Sequence, residues 1–490
     1  MTRHENAPTS RITRADAQSA LSIGGRERWA LLVIALAQLM IVLDLTVVGV
    51  ALPTIQQQLD FSTADRQWVV TAYALTFAGL LLLFGRIADY LGRKLSFIAA
   101  MVGFGVSSIV GGFAINPQML IGARAAQGLF GAMLAPALLA LLTITFTTSR
   151  ARATAFSVFG AVSGGGAAVG LIIGGVVTQY LGWRWGFFVN VPIVVIATVG
   201  ALFAITESRV RAQARFDFLG ALLATLSTAA LVYAFNDAAS VGWHAPLTIV
   251  LLGVGVALIL LFLLVEARIS APMLPLVIVA NRARGGAYLA MFVLGFGMFG
   301  ASFFLTFYLQ AVKFYSPLNT GLAFMPQVVG VLVASLITRK LVTRLPPRWL
   351  AGTGLLLEAA GITWLTQLDV SSGYAGHLLL ALLLIGLGLG TVSPTVANLA
   401  TSGVAVQQSG IASAALNTAQ MIGVSLGTAL LNTIAVSQTQ EYLAARSQHS
   451  GIQLEALVHG YTVAIACGAA VLAIGAVVTV LVINSRSAGK

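Results

Sequence analysis

"GRIADYLGRK" (Gly85–Lys94) sets four charged residues, Arg86, Asp89, Arg93 and Lys94, and two bracketing glycines, Gly85 and Gly92, between the apolar runs "WVVTAYALTFAGLLLLF" and "LSFIAAMVGFGVSSIVGGFAI". Charge is scarce elsewhere. Of 490 residues, 58% are apolar and 9% charged, whereas soluble domains carry about 25% charged residues. A soluble surface of this size cannot be built from so little charge. Apolar runs of about 20 residues recur, each long enough to cross ~30 Å of hydrocarbon as a helix. The chain therefore reads as an all-α polytopic membrane protein, with Gly85–Lys94 as a loop at a membrane face.

Fourteen helical segments are expected: 29–53, 68–86, 96–115, 118–146, 154–181, 186–206, 217–236, 247–265, 285–311, 320–338, 349–368, 376–400, 408–436 and 459–483. The first is too long for a signal-peptide core and has no small-residue cleavage site after it. Of the 27 Lys and Arg, 22 fall in the head, the tail and the loops on one side; Arg66, Arg184, Lys313 and Arg446 fall on the other, and Arg124 lies within a segment. This asymmetry is the positive-inside pattern. It places both termini in the cytoplasm and makes the net charge of +12 topogenic rather than a nucleic-acid surface. The single Cys467 excludes an intramolecular disulfide and is assigned to packing.

At an offset of 254 residues, "RKLVTRLPPR" (Arg339–Arg348) falls in the place of "GRIADYLGRK". Transporters are often built from such repeats. The expected plan is a head (1–28), a six-helix bundle (29–206), a linker with two inserted helices (207–284), a second six-helix bundle (285–483) and a tail (484–490).

Acids inside membrane spans are costly and mark functional candidates. Asp44, in "LDLTVVGVALP", lies nine residues before Pro53, about 13 Å from the outer edge. Arg124, in "RAAQGLFGAMLAPA", lies about 9 Å deep from the same side. The two can pair, either as a working site or as a fixed ion pair that sets helix packing. Glu358, in "GLLLEAAGITW", falls about 15 Å into its segment, near the midplane. It is a proton site, a counter-ion for a cation, or a hydrogen-bonding group; burial disfavours its charged form. Gly166, Gly170 and Gly174 form a smooth strip at four-residue spacing, which lets another helix approach closely. Phe292, Phe296, Phe299, Phe303 and Phe307 share one helix face, facing a drug cavity, lipid or a packing neighbour. Asn398, Asn417 and Gln420 line a cavity or bond other helices, since polar groups avoid lipid. No nucleotide-binding loop and no His/Cys cluster is present, so neither direct ATP use, nor a metal, nor an enzymatic activity is expected.

These motifs together resemble the fourteen-helix drug:proton antiporter branch of the major facilitator superfamily. "LDLTVVGVALP", "GRIADYLGRK", "RAAQG" and "GAAVGLIIGG" are similar to four of its signatures. "WRWGFFVNVP", "RFDFLGALL", "YLQAVKFYSPLNTGLAFMP" and "GIASAALNTAQMIGVSLGTAL" follow as later landmarks in order. The sequence departs from the pattern at Gly49, where Asn is frequent, at Leu171, where Pro is usual, and at Lys313–Phe314, where an apolar residue and Gly are typical.

The resemblance implies alternating access between two bundles, in a bacterial plasma membrane, with the proton as coupling ion and no other cofactor. Asp89 is then expected to latch onto the start of the thirteenth segment near Ser409 when the cavity faces outward; the alternative is a solvated turn. Gly85 and Gly92 are expected to turn the chain, and Arg93 to hold the loop in the cytoplasm. The expected substrate is a small lipophilic compound, cationic or antibiotic-like, handled by a monomer surrounded by membrane lipid. The alternatives are export of an endogenous lipid or metabolite, and symport.

Overall fold

The computed structural model describes residues 25–63, 65–146, 148–207, 217–269, 272, 280–342, 344–402, 409–446 and 451–483. Most of the expected head, the tail and most of "ESRVRAQARFD" lie outside the described residues, as do the side chains of Asp89, Phe299 and Ser409. The expected Asp89–Ser409 latch therefore falls outside them too.

All regular structure among the described residues is helical. The chain runs through α1 (Gly25–Gln58), α2 (Trp68–Leu91), α3 (Arg93–Gly112), α4 (Pro117–Thr145), α5 (Ser149–Tyr180), α6 (Arg184–Phe188) and α7 (Asn190–Ala204). It continues with α8 (Phe218–Val241), α9 (Pro246–Arg268) and α10 (Arg282–Phe307), which a π-turn at Tyr308–Val312 extends. Then follow α11 (Pro317–Ala323), α12 (Met325–Leu341), α13 (Pro347–Leu365), a π-turn at Tyr374–Leu378 that leads into α14 (Leu379–Thr401), α15 (Ser409–Ala445) and α16 (Ile452–Val482). Twelve of the helical stretches are long and apolar enough to cross a membrane. The starts follow local chemistry. Asn116 accepts from Met119 N–H at 2.8 Å and is followed by Pro117, so one orphan donor is capped and the first helical position needs none.

The structure corrects the reading of Gly85. That residue lies inside α2, which continues to Leu91, and Gly92 alone makes the turn into α3 with φ 103. One left-handed position suffices to reverse the chain, and only glycine takes it without steric cost. Gly85 costs the helix about 1 kcal/mol against Ala, too little to end it. The start of α3 is met by Glu207, whose carboxylate accepts from Lys94 N–H and Leu95 N–H at 3.3 Å each. An anion there suits the positive end of the helix dipole.

Helices α1–α7 pack among themselves, and so do α10–α16. α8 fits against α2 and α15, while α9 packs on α8. Thr433 donates to the Phe235 carbonyl at 2.6 Å, and Thr248 donates to the Asp237 carboxylate at 2.6 Å. Asp237 thus ties α8 to α9.

The face where α1 starts is called near, the opposite one far. The far face joins the two sets of helices. One buried apolar cluster there contains Leu52, Phe61, Trp183 and Phe187 together with Phe303, Tyr308 and Phe324. Gln310 donates to the Val50 carbonyl at 2.8 Å, and Asn432 to the Thr63 carbonyl at 3.2 Å. Helix α5 meets α11 so closely that a Cβ on Gly321 would collide with the Leu171 carbonyl oxygen.

Two predictions follow from this packing. Phe314 has φ 54 and is 77% exposed, a left-handed position that a bulky side chain rarely takes. Phe314→Gly is expected to raise stability in detergent by ~1 kcal/mol, read as a higher unfolding midpoint; a lower midpoint would show that the ring holds the loop. In a Cys467→Ser background, a Gln179→Cys/Leu318→Cys pair is expected to crosslink, since the Leu318 N–H and Gln179 Oε1 are 3.4 Å apart. Adding Gly321→Val should cut the crosslinking yield at least twofold by wedging the seam; an unchanged yield would mean the seam yields elsewhere.

Candidate functional site

Asp44 is fully buried in α1 and accepts from three side chains on two other helices. Arg124 Nη1 (α4) donates to Oδ2 at 2.5 Å, while Gln127 Nε2 (α4) and Asn190 Nδ2 (α7) donate to Oδ1 at 2.8 and 2.9 Å. Gln127 and Asn190 also donate to the Ser108 hydroxyl of α3, at 2.9 and 3.3 Å. Arg124 itself is held three ways. Its Nε donates to the Val69 carbonyl at 2.9 Å, its Nη1 also donates to Gln127 Oε1 at 2.8 Å, and its guanidinium carbon lies 4.6 Å from the Tyr73 ring centroid. Five helices thus converge on one carboxylate and one guanidinium.

The similar depth read from the sequence does bring Asp44 and Arg124 together. Gln127, Asn190, Ser108 and Tyr73 escaped that reading. Gln127 stands three residues after Arg124 in "RAAQG" and Asn190 stands in "WRWGFFVNVP". Both were signals of a polar cluster, since buried amides need partners.

Arg124 also lines a cavity of about 610 Å³ between the two sets of helices. Its walls include Val42, Thr46 and Gly49 of α1, Leu171 of α5, Met298 and Phe303 of α10, Gln327 of α12 and Asn417 and Gln420 of α15. Among the described lining residues there is no Asp or Glu. A Cβ at Gly49 would meet nothing within 4 Å, so the missing Asn side chain leaves open space.

The other candidates scatter. Phe296 is buried against α15, where a Cβ on Gly427 would meet its backbone, and it does not line the cavity. Glu358 is fully buried, and neither carboxylate oxygen has a hydrogen-bond partner among the described residues. It packs where α13 crosses Gly388 of α14, outside the cavity lining. The glycine strip packs on α1: Gly166 faces Leu39 and Val42, Gly170 faces Thr46, and Gly174 faces Val47. The adjacent Gly175 approaches Leu318 of α11. The strip therefore joins two helices of one set, and its neighbours Leu171 and Gly175 carry the seam to the other.

Residues 34–428 match the Major Facilitator Superfamily. Puromycin resistance protein pur8 of Streptomyces alboniger is 46% identical over 94% of this chain and 92% of its own. Cephamycin export protein CmcT of Amycolatopsis lactamdurans is 36% identical over 86% of this chain and 88% of its own. Among solved structures, a bacterial homologue of the human lysosomal transporter Spinster, in an inward-facing and unoccupied conformation, superposes with a TM-score of 0.67 at 16% identity, covering 94% of this chain and 98% of that one. The helical architecture, the cavity between two helix sets and these likenesses agree: the chain belongs to the Major Facilitator Superfamily.

Proposed function

We propose that the chain is a proton-coupled antiporter that exports a small, lipophilic, antibiotic-like compound across a bacterial plasma membrane. In this reading all fourteen expected segments span the membrane, including α2 and α13, with α8 and α9 as a pair added to two six-helix bundles. Both termini are cytoplasmic, so the closed far face is the outer one and the state is inward-facing. The resistance and export relatives support efflux. A cavity of about 610 Å³ with mostly apolar walls suits a drug-sized ligand.

The observation that carries the reading is the Asp44–Arg124 pair at the cavity wall. With Asp44 ionised the pair is neutral overall. A proton on Asp44 leaves the Arg124 charge unbalanced beside the cavity. At about 8 Å and an effective dielectric constant of about 20, that charge disfavours a bound cation by about 2 kcal/mol, or roughly thirtyfold. Proton and cation therefore exclude one another, which is the requirement for exchange. Protonation also removes the charge-assisted character of the bonds from Arg124, Gln127 and Asn190, freeing α1 to shift against α4 and α7.

Asp44→Asn is expected to abolish substrate accumulation driven by a pH difference in inside-out vesicles, at least tenfold, with expression near normal. Accumulation that survives would remove Asp44 from the coupling step. Arg124→Lys should rescue Arg124→Ala only in part, because a point charge cannot reach Asp44, Gln127 and the Val69 carbonyl together.

Glu358 contributes, in this reading, as a carrier of the proton rather than as a counter-ion, since it stands outside the cavity lining. Glu358→Gln should slow export of cationic and neutral substrates to the same degree, within about twofold. A loss confined to cations would restore the counter-ion role.

A further inference from the structure

Arg66 sits in the short loop between α1 and α2, on the far face, yet is only 3% exposed. Ser62 braces the segment before Arg66: Ser62 Oγ accepts from Asp65 N–H at 3.0 Å, and the Ser62 carbonyl accepts from Arg66 N–H at 3.1 Å. It delivers the guanidinium across the interface into the other helix set. There its carbon lies 3.8 Å from the Phe307 ring centroid, 5.4 Å from that of Phe303 and 5.8 Å from that of Tyr461. All three fall within the roughly 6 Å at which a cation is held by an aromatic face. The rings come from α10 and α16 and are themselves buried.

Two features set this contact apart from an ordinary structural arginine. A buried guanidinium normally satisfies its donors. Here Nη1 reaches Gln56 Oε1 at 3.3 Å, while Nε and Nη2 have no hydrogen-bond partner among the described residues. The rings hold Arg66 by its charge and flat face rather than by its hydrogen-bonding pattern, and any flat organic cation offers the same. Secondly, Phe303 belongs both to this cage and to the wall of the central cavity, so the cage adjoins the place where a substrate rests.

We propose that Phe303, Phe307 and Tyr461 form a binding site for organic cations on the way out of the cavity, which Arg66 fills while the far face is shut. The inference rests on the export reading above. Arg66 and the rings belong to opposite helix sets, so opening the far face must withdraw the guanidinium and leave the cage empty. A cation leaving the cavity then takes the vacated rings, and keeps the face open while it occupies them. This supplies recognition of cations that the cavity, with no acid among its described lining residues, does not itself offer. Neutral compounds gain nothing from the site.

The test is equilibrium binding to the purified full-length protein in detergent, with ethidium as the organic cation and Nile red as the neutral probe. Arg66→Ala is expected to tighten ethidium binding about tenfold, while Nile red changes by less than twofold. Arg66→Lys, which leaves a cation over the rings, should show no gain, and Arg66→Ala with Phe307→Leu should lose it. Equal gains for both probes, no gain for either, or a gain that persists without the Phe307 ring would each overturn the site. Should Arg66→Ala not fold, Phe307→Leu alone serves: it should slow ethidium efflux at least fivefold relative to Nile red efflux, and equal slowing would overturn the site. If the unaltered protein expels neither probe, the export reading falls, and the binding series still judges the cage.

Discussion

A carboxylate in the middle of an apolar helix bundle must either find partners or lose its charge, and Asp44 has found three. The cost of leaving an ion uncompensated in such surroundings is several kcal/mol, so α3, α4 and α7 are bound to present polar groups where α1 presents its acid. Ser108, Gln127, Arg124 and Asn190 supply them. The arrangement fixes the relative rotation and height of these helices more sharply than apolar contacts do, because hydrogen bonds tolerate only a few tenths of an ångström. It contributes little net stability, since replacing such networks by apolar packing is often neutral. What the network adds is dependence on one proton: each bond to Asp44 is strong only while that group is charged.

The second helix set is built on the opposite principle. Its helices approach through glycines: Gly330 against α14, Gly354 and Gly361 against α14, and Gly386 against Gln327 of α12. Backbones in contact leave little room for side-chain networks, and Glu358 is buried there without a partner among the described residues. One set therefore holds a satisfied carboxylate paired with Arg124 of the cavity wall, and the other holds an unsatisfied one away from the cavity. The two meet at the far face, where the seam is again mostly backbone and apolar surface, pinned by a few bonds such as Gln310 to Val50. A contact of that kind separates without stranding many polar groups.

The fold was legible in the sequence because membrane spans announce themselves by length and apolarity. The Asp44–Arg124 pair was legible because charge there is too costly to be incidental. Depth could be counted from the helix ends, and it brought the right two residues together. Orientation about the helix axis could not. The glycine strip was visible, but not that it faces α1 while Leu171 and Gly175 face α11. Gln127 and Asn190 were overlooked although amides elsewhere in the spans were singled out, because a buried amide's partner cannot be counted along one helix, and Gly85 was over-read because glycine permits a turn without requiring one. Arg66 was counted only as one of four cations on the side that the positive-inside pattern leaves poor in charge, and nothing in "STADRQWVV" shows that three rings about 240 to 400 residues later close around it.

The two buried arginines differ in what can release them. Arg124 is paired with a group that titrates, so a proton alters its surroundings at once. Arg66 is held by aromatic faces, whose attraction for a cation is indifferent to pH across the physiological range, so a proton leaves that contact untouched. A device that used only the first would open with or without cargo and dissipate the gradient. A device that used only the second would respond to cargo without drawing on the gradient. With the titratable pair at the cavity wall and the aromatic contact across the far seam, release of the outer face has two separate conditions, one electrostatic and one steric, held apart by the length of a cavity that only a bound compound spans.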